Sequence, residues 1–341
     1  ARETLPPQAT LRVMTEPAEP ADPRRLGRTD MHISPVALGC WPIAGMTSSG
    51  VSEPSSLATL DACFEAGLNH LDTAFAYGAE GESERLIGKA IRRRRQQVVL
   101  ATKGGLAWDA QRRQVRDARP ETLRKQCETS LQRLQTDYVD LLYLHARDPD
   151  TPIADSAAAL AELQRAGKAR AIGASNLSLD ELQQFHAVCP LTAFQPPYNL
   201  LQRQIERDTL PWCRENQIAV LVYWPLMKGL LAGKLPRNHV FEAGDGRAKY
   251  PMFQGREWEK NQDFVDGLRQ IAAAAQCTVA QLAVHWVIQQ PGITAALCGA
   301  KRPEQIRETA AAMQIRLTDP QWRQLDALIA ERGEVAVRNP A

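Results

Sequence analysis

The 341-residue chain is 44% apolar, enough to bury a sizeable core, and its length suits either about two domains or one large α/β barrel. Lys and Arg number 41 against 39 Asp and Glu, a net charge of +2, so no overall field favours nucleic acid or an anionic membrane. The seven cysteines (Cys40, Cys63, Cys127, Cys189, Cys213, Cys277 and Cys298) are widely spaced, with no C-x-x-C or Cys/His pattern; this predicts reduced thiols, a cytoplasmic protein and no metal site.

Residues 1–25 are rich in Pro, Glu and Arg and lack the apolar core of a signal peptide, which predicts a disordered leader. The next stretch, "RRLGRTDMHISPV", has a turn at Arg28 to Asp30 between two short extended pieces, as a β-hairpin would. From residue 35 onward, eight apolar runs read as strands, at 35–41, 69–74, 98–104, 139–145, 169–176, 192–199, 219–224 and 294–300. Helical spacing covers 57–67, 82–94, 117–137, 154–166, 179–188, 202–216, 278–290 and 303–313. In 117–137, for example, Leu123, Cys127, Leu131 and Leu134 share a face behind Pro120. The run Arg92 to Arg95 closes one such helix, where cations favour the dipole, and is read as a solvated end.

Strands that alternate with helices imply parallel pairing, and strands apolar on both faces imply burial on both sides. Eight such units predict a closed (β/α)8 TIM-type barrel of the α/β class, with the hairpin plugging its N-terminal end and an extra C-terminal helix. The expected layout is a single domain over 26–333, the leader before it and a tail at 334–341. One long excursion, 227–256, interrupts the seventh unit on the face where barrel enzymes keep their sites.

Four ionisable residues stand at the ends of three consecutive strands: Asp72, with Tyr77 one short loop later, then Lys103 and His145. Singly, each has an ordinary reading as a cap, a rim aromatic, a surface charge or a core histidine. Jointly, they converge on one point at the C-terminal mouth. An ammonium beside a phenol favours the phenolate and is expected to lower its pKa, and a carboxylate keeps the ammonium charged. The set suits protonation of a carbonyl oxygen while another group delivers hydride to the carbon.

In these motifs the chain resembles the aldo-keto reductases: "GLNHLDTAFAYG", "SERLIGKAI", "ATKGG", "DLLYLH", "GKARAIGASNLS" and "GAKRPEQIRET" match that family's blocks in order and spacing from about residue 25 to 330. The resemblance implies Tyr77 as general acid/base, Lys103 and Asp72 as its tuning pair and His145 as the group orienting the carbonyl. It also implies a nicotinamide cofactor, held without the G-x-G-x-x-G loop that this chain lacks. Ser175, Asn176 and Gln195 match carboxamide-binding positions, although Ser175 and Asn176 also suit a helix cap. Tyr223 matches the stacking aromatic, and Trp224 replaces the Ser that commonly follows it. The loop "PLMKGLLAGK" matches the pyrophosphate segment, with Leu226, Gly229 and Lys234, and Arg247 reaches the same phosphates.

Gly299, Lys301, Arg302, Gln305, Glu308 and Thr309 match the positions that hold the adenosine half. Lys301 and Arg302 favour NADP(H), with NAD(H) as the alternative, because Gln305 stands where some members carry Arg; Arg302 also reads as a plain surface charge. Thr309 replaces an Asn that often reads adenine. Trp41, Trp108 and Trp224 are the expected walls of a pocket for a small carbonyl or alcohol, including sugars; Trp108 alternatively packs outside it. The leading expectation is a carbonyl reductase or alcohol dehydrogenase, with no nucleic-acid or membrane partner and compatible with a homo-oligomer. A slow-turnover nicotinamide-sensing regulatory subunit is the alternative on the same barrel, and a Schiff-base lyase using Lys103 a third reading.

Overall fold

A computed structural model of the chain describes residues 22–45, 51–242, 245–333 and 335. The hairpin is formed by β1 (Arg24–Arg25) and β2 (His32–Ile33), paired antiparallel around the turn expected at Arg28 to Asp30. Arg24 and Arg25, within the expected leader, pair with the second arm of the hairpin. Residues 1–21 of the expected leader, and 334 and 336–341 of the expected tail, lie outside the described residues.

Eight strands close the barrel: β3 (Val36–Gly39), β4 (His70–Asp72), β5 (Val99–Gly104), β8 (Val139–Leu144), β9 (Ala169–Ser175), β10 (Ala193–Gln195), β11 (Ala219–Val222) and β12 (Ile293–Gly299). They run parallel in that order, with β12 pairing back onto β3. The eight expected strands are all present; seven are trimmed by one to five residues, and the eighth keeps its length but starts one residue earlier. Around them lie α1 (Glu53–Glu65), α2 (Glu82–Ile91), α3 (Pro120–Leu134), α4 (Ile153–Arg165), α5 (Leu179–Val188), α6 (Thr209–Glu215), α8 (Val279–Ile288) and α9 (Pro303–Ala310). Local chemistry sets several of these starts. Ser178 and Thr278 make reciprocal capping boxes with Glu181 and Gln281, and Pro120 occupies the first turn of α3.

Two further helices, α7 (Gly255–Ala274) and α10 (Asp319–Arg332), pack on each other outside the ring, where Arg332 bonds Glu257 and Asn261. The C-terminal helix was expected. α7 was not, because its first half, "GREWEKNQDF", is polar and is fixed by tertiary bonds such as Asn261 Nδ2 to Met252 O at 2.9 Å. A small antiparallel pair, β6 (Leu106–Trp108) and β7 (Gln114–Arg116), also escaped the pattern, since three-residue strands carry too little periodicity. The Arg92–Arg95 run is only partly solvated. Arg95 turns inward to pair with buried Asp140 at 2.8 Å, while Arg92 bonds Gln135.

Two apolar layers result, one between strands and helices and one inside the barrel. The inner layer is built of small residues, Ala37, Ala101, Ala171, Ala193, Ala219 and Ala295, with Leu141, Tyr143, Leu221 and Leu297 filling the space between them. Leu26, Met31 and Ile33 of the hairpin join it from below, so the hairpin is the barrel's floor. Gly27 permits this approach: its φ is 57°, and a Cβ there would lie 2.5 Å from Thr192 O. Among the described residues no single helix is long and apolar enough to cross a membrane; α7 and α8 meet that measure only jointly, across an 89° bend.

Replacing floor residue Ile33, which is fully buried, with Ala is expected to cost ~2–5 kcal/mol in urea denaturation while leaving the mouth intact. A loss under ~1 kcal/mol would mean that the hairpin does not seal the core.

Candidate active site

Strand parity positions the site. Side chains two residues apart on a strand share a face, so each inward Ala or Leu of the inner layer puts another inward side chain two or four residues later, at the C-terminal mouth. From Ala37 this leads to Trp41, from Ala101 to Lys103, from Tyr143 to His145, from Ala171 to Ser175, from Ala193 to Gln195 and from Leu221 to Tyr223. Asp72 faces inward because its neighbour Leu71 belongs to the outer layer.

Lys103 is the hub, 1% exposed. Its ammonium donates to Asp72 Oδ1 at 2.5 Å, to Thr73 O at 2.9 Å and to Tyr77 OH at 3.2 Å, which accounts for all three of its hydrogens. The second Asp72 oxygen accepts from Gln195 Nε2 at 2.7 Å. Because the Tyr77 oxygen accepts from Lys103, its own hydrogen is left to be given away. The Tyr77 ring meets Trp41 edge-to-face at 5.0 Å and the His145 ring at 5.9 Å.

Burial pulls the Lys103 ammonium pKa down, but Asp72 and Tyr77 outweigh it and leave it above the usual lysine value. Burial pushes the Tyr77 phenol up; Lys103 opposes this, and the net result is a raised pKa. That corrects the expectation of a lowered pKa: desolvation of the phenolate in this enclosed site exceeds the ammonium's attraction, part of which Asp72 cancels. Burial, aided by Lys103, holds His145 well below the ordinary histidine range, so its imidazole is neutral. Among the described residues its Nδ1 is buried without a partner. A phenol carrying a proton, beside a neutral imidazole and a fixed ammonium, is equipped to exchange that proton with an oxygen placed between them.

The other expected residues distribute as follows. Ser175 donates to Gln195 O at 2.7 Å. Asn176, left-handed at φ 55°, donates to His145 O and accepts from Tyr223 OH at 2.7 Å. Ser178, rather than either of them, caps the next helix. Gln195 faces Asp72 as well as the mouth, a partnership that sequence alone did not suggest. Trp224 stands edge-on between Tyr223 and Tyr250, with ring centroids 5.3 and 6.1 Å away. Trp108 donates its indole hydrogen to Ala76 O at 2.9 Å, so it braces the Tyr77 loop.

After β11 the chain is left-handed at Trp224 and again at Met227, Lys228 and Gly229, which gathers Leu226, Gly229 and Arg247 together: a Cβ on Gly229 would lie 3.6 Å from Arg247 Nη1. Arg247 also pairs with Asp245 at 2.7 Å, and Lys234 with Glu308 at 2.6 Å, joining this loop to α9. Lys228, not foreseen, lies over the rings of Trp224 and Tyr250 at 4.1 and 4.6 Å, and burial beside Lys249 and Arg247 pulls it down to about 8. Its sequence signal was weak, a lone cation between an aromatic and a glycine. At the end of β12, Gly299 is exposed, and a Cβ there would come within 3.0 Å of Pro42. Gln305 accepts from Lys301 N at 2.9 Å, buried Thr309 bonds the backbone of its own helix, and Arg302 is exposed at the N-cap of α9. The exposed Gly299 at the end of β12 and the left-handed turn, with cations at Lys301, Arg302 and Arg247, fit a dinucleotide's phosphates.

Ionisable groups converging at the mouth of a parallel barrel, without a glycine-rich dinucleotide loop, point to the barrel oxidoreductases rather than the Rossmann dehydrogenases. Residues 35–330 match the Aldo/keto reductase family, and the chain belongs to it. It is 41% identical over 281 residues to aldo-keto reductase YhdN of Bacillus subtilis (strain 168), covering 82% of this chain and 84% of that protein. It is 36% identical over 309 residues to the NADH-specific methylglyoxal reductase of Escherichia coli (strain K12), covering 86% and 94%. The fold superposes on the glycerol dehydrogenase AKR11B4 of Gluconobacter oxydans with a TM-score of 0.86 at 35% identity, over 94% of this chain and 98% of that one. The protein is therefore an oxidoreductase of small-molecule carbonyl compounds, from a family that uses nicotinamide cofactors.

Asp72→Asn leaves the Lys103 ammonium buried beside a neutral amide and is expected to cost ~3–5 kcal/mol. Combining it with Lys103→Met should cost less than the sum of the two single changes. Urea denaturation of the four proteins measures this, and additivity within ~0.5 kcal/mol would contradict the pairing.

Proposed function

We propose that the protein reversibly reduces small aldehydes and ketones to alcohols, with Tyr77 giving the carbonyl oxygen its proton. The observation that carries this reading is the Lys103 ammonium bonded at once to Asp72 and to Tyr77 OH. Lys103 holds the phenol oxygen and stabilises the phenolate left after transfer, Asp72 keeps Lys103 charged, and the neutral His145 orients the carbonyl. When bound, the nicotinamide cofactor supplies hydride to the carbonyl carbon. Ser175, Asn176, Gln195 and Tyr223 line its ring end. Leu226, Gly229, Lys234 and Arg247 line its phosphates, and Gly299, Lys301, Arg302, Gln305, Glu308 and Thr309 its adenosine half. Trp41 and Trp224 wall the substrate side, while Trp108 acts from behind through Ala76.

The relatives named for methylglyoxal and glycerol put short oxygen-rich carbonyls first among candidate substrates, with sugars next. NADP(H) is the preferred cofactor in this reading, supported by the exposed Arg302 guanidinium beside Lys301 at the start of α9. NAD(H) is the second reading, favoured by the NADH-specific relative and by the tie between Gln305 and the Lys301 backbone. A cytoplasmic location accompanies it, supported by seven free cysteines. The lyase reading loses its basis, since an ammonium paired with Asp72 and raised in pKa has no lone pair to offer a carbonyl. The sensing alternative shares this geometry and is separated from catalysis by steady-state turnover.

Tyr77→Phe is expected to lower turnover of an aldehyde by at least ~10²-fold with cofactor affinity unchanged; near-normal rates would remove Tyr77 from its role. Because the phenol pKa is raised above 10, Tyr77 stays protonated through neutral pH. Reduction should therefore show no alkaline loss from this group below about pH 10, while alcohol oxidation, which needs the phenolate, should climb with pH over the same range. Reduction falling away through pH 8 in step with Tyr77 ionisation would oppose this. Arg302→Ala is expected to weaken NADPH binding about tenfold and leave NADH binding unchanged; equal effects on both would favour NAD(H).

A further inference from the structure

The loop that carries Tyr77 is gripped from outside the barrel. Every carbonyl from residue 73 to 77 is engaged. Thr73 O accepts from Lys103 Nζ at 2.9 Å, Ala74 O from Tyr77 N at 3.0 Å, Phe75 O from Arg133 Nη1 at 3.2 Å, Ala76 O from Trp108 Nε1 at 2.9 Å and Tyr77 O from Ser83 N at 3.2 Å. Two of these five donors belong to the loop and to α2, and one is Lys103 itself. Arg133, on α3, is different: it is held by a carboxylate with no exposure to solvent.

That carboxylate is Glu84 of α2. Its Oε2 accepts from Arg133 Nη1 at 3.2 Å, and its Oε1 accepts from Thr102 Oγ1 at 2.7 Å. Thr102 is the outward-facing neighbour of Lys103 on β5. One buried carboxylate thus references both the strand that brings Lys103 and, through Arg133, the loop that brings Tyr77. The Arg133 guanidinium also lies over the Phe75 ring at 4.5 Å, and the chain wraps it so tightly that a Cβ on Gly81 would sit 2.4 Å from its Cζ. Arg133 Nε is buried with no partner among the described residues. A guanidinium buried with a donor unmet is an expensive way to fill space, and an apolar pair of the same volume would serve stability as well.

We propose that Glu84 and Arg133 are positioning residues for the reaction, setting the distance between the Tyr77 hydroxyl and Lys103 by fixing the Phe75 carbonyl relative to β5. Neither touches the substrate or the cofactor. Their effect passes through backbone, and it rests on the reading of Tyr77 as proton donor given above. Misplacing a reacting group by about 1 Å costs on the order of 10²-fold in rate, so a loosened loop should show in turnover.

The test uses the full chain and compares wild type, Arg133→Met, Arg133→Lys and Glu84→Gln, with Tyr77→Phe as control. For each, kcat and KM are measured with methylglyoxal, NADPH affinity by fluorescence quenching, and the pH profile of kcat for alcohol oxidation. Arg133→Met is expected to lower kcat about tenfold or more, with KM and NADPH affinity within about twofold of wild type, and Arg133→Lys to recover part of the loss. The alkaline rise of oxidation should move to higher pH in Arg133→Met, because a phenol further from Lys103 loses the ammonium's help in ionising.

A folded Arg133→Met with wild-type kcat and an unmoved pH profile overturns the proposal, as does a loss of kcat and NADPH affinity in parallel that Arg133→Lys does not mend. Should Arg133→Met not fold, Glu84→Gln, which keeps an acceptor for Thr102, and Arg133→Lys carry the same expectations and the same refutations. If Tyr77→Phe turns over normally, the proton-donor reading fails and this inference with it. If Tyr77→Phe is dead while the Arg133 and Glu84 variants run at wild-type rate, this inference alone fails.

Discussion

The ion pair between Lys103 and Asp72 sets the terms for everything around it. Two opposite charges, both almost wholly buried at the barrel mouth, are tolerable only when each remaining donor and acceptor is met. Thr73 O and Tyr77 OH take the other two ammonium hydrogens, and Gln195 takes the second carboxylate oxygen. Those obligations reach three strands and one loop, so they fix where Tyr77 stands. They also separate the pKa values: the ammonium stays charged, the phenol stays protonated and the imidazole stays neutral. A site with three defined protonation states at neutral pH can move one proton without ambiguity over its source.

Beneath this pair the barrel supplies rigidity and parity. Six alanines in the inner layer leave room for Tyr143 under the site, and the hairpin closes the floor with Leu26, Met31 and Ile33. Above it, loops supply binding. The left-handed turn at Met227 to Gly229 brings Arg247 to the backbone of Gly229, and Lys234 reaches Glu308 of α9. The second of these contacts joins the loop after β11 to α9. Within that turn Met227 and Lys228, neither a glycine, both hold a positive φ.

Much of this was legible in the sequence, for physical reasons that differ by element. Buried parallel strands read as apolar runs, and the four ionisable residues stood out because each ends such a run. Pro120 marked the first turn of α3 in the sequence, but the cap of α5 falls on Ser178 rather than on Ser175 or Asn176, where a cap was also expected. What escaped depends on partners distant in the chain. α7 is held partly by Arg332, which bonds its Asn261 across 71 residues, and β6 and β7 are too short to carry a period. The bond from Gln195 to Asp72 spans 123 residues, and Arg133 reaches back to Phe75 across 58. The sign of the Tyr77 pKa shift was misjudged for a related cause: the spacing of residues shows which charges meet, while the extent of desolvation depends on the closed barrel around them.

The most direct test of the central claim is a 13C NMR titration of Tyr77, labelled at Cζ, in the wild type and in Lys103→Met. Burial raising the phenol against the pull of Lys103 predicts a wild-type midpoint above the ordinary value of 10, and a further upward move when the ammonium is removed. A wild-type midpoint below about 9, or one that Lys103→Met leaves in place, would contradict the account.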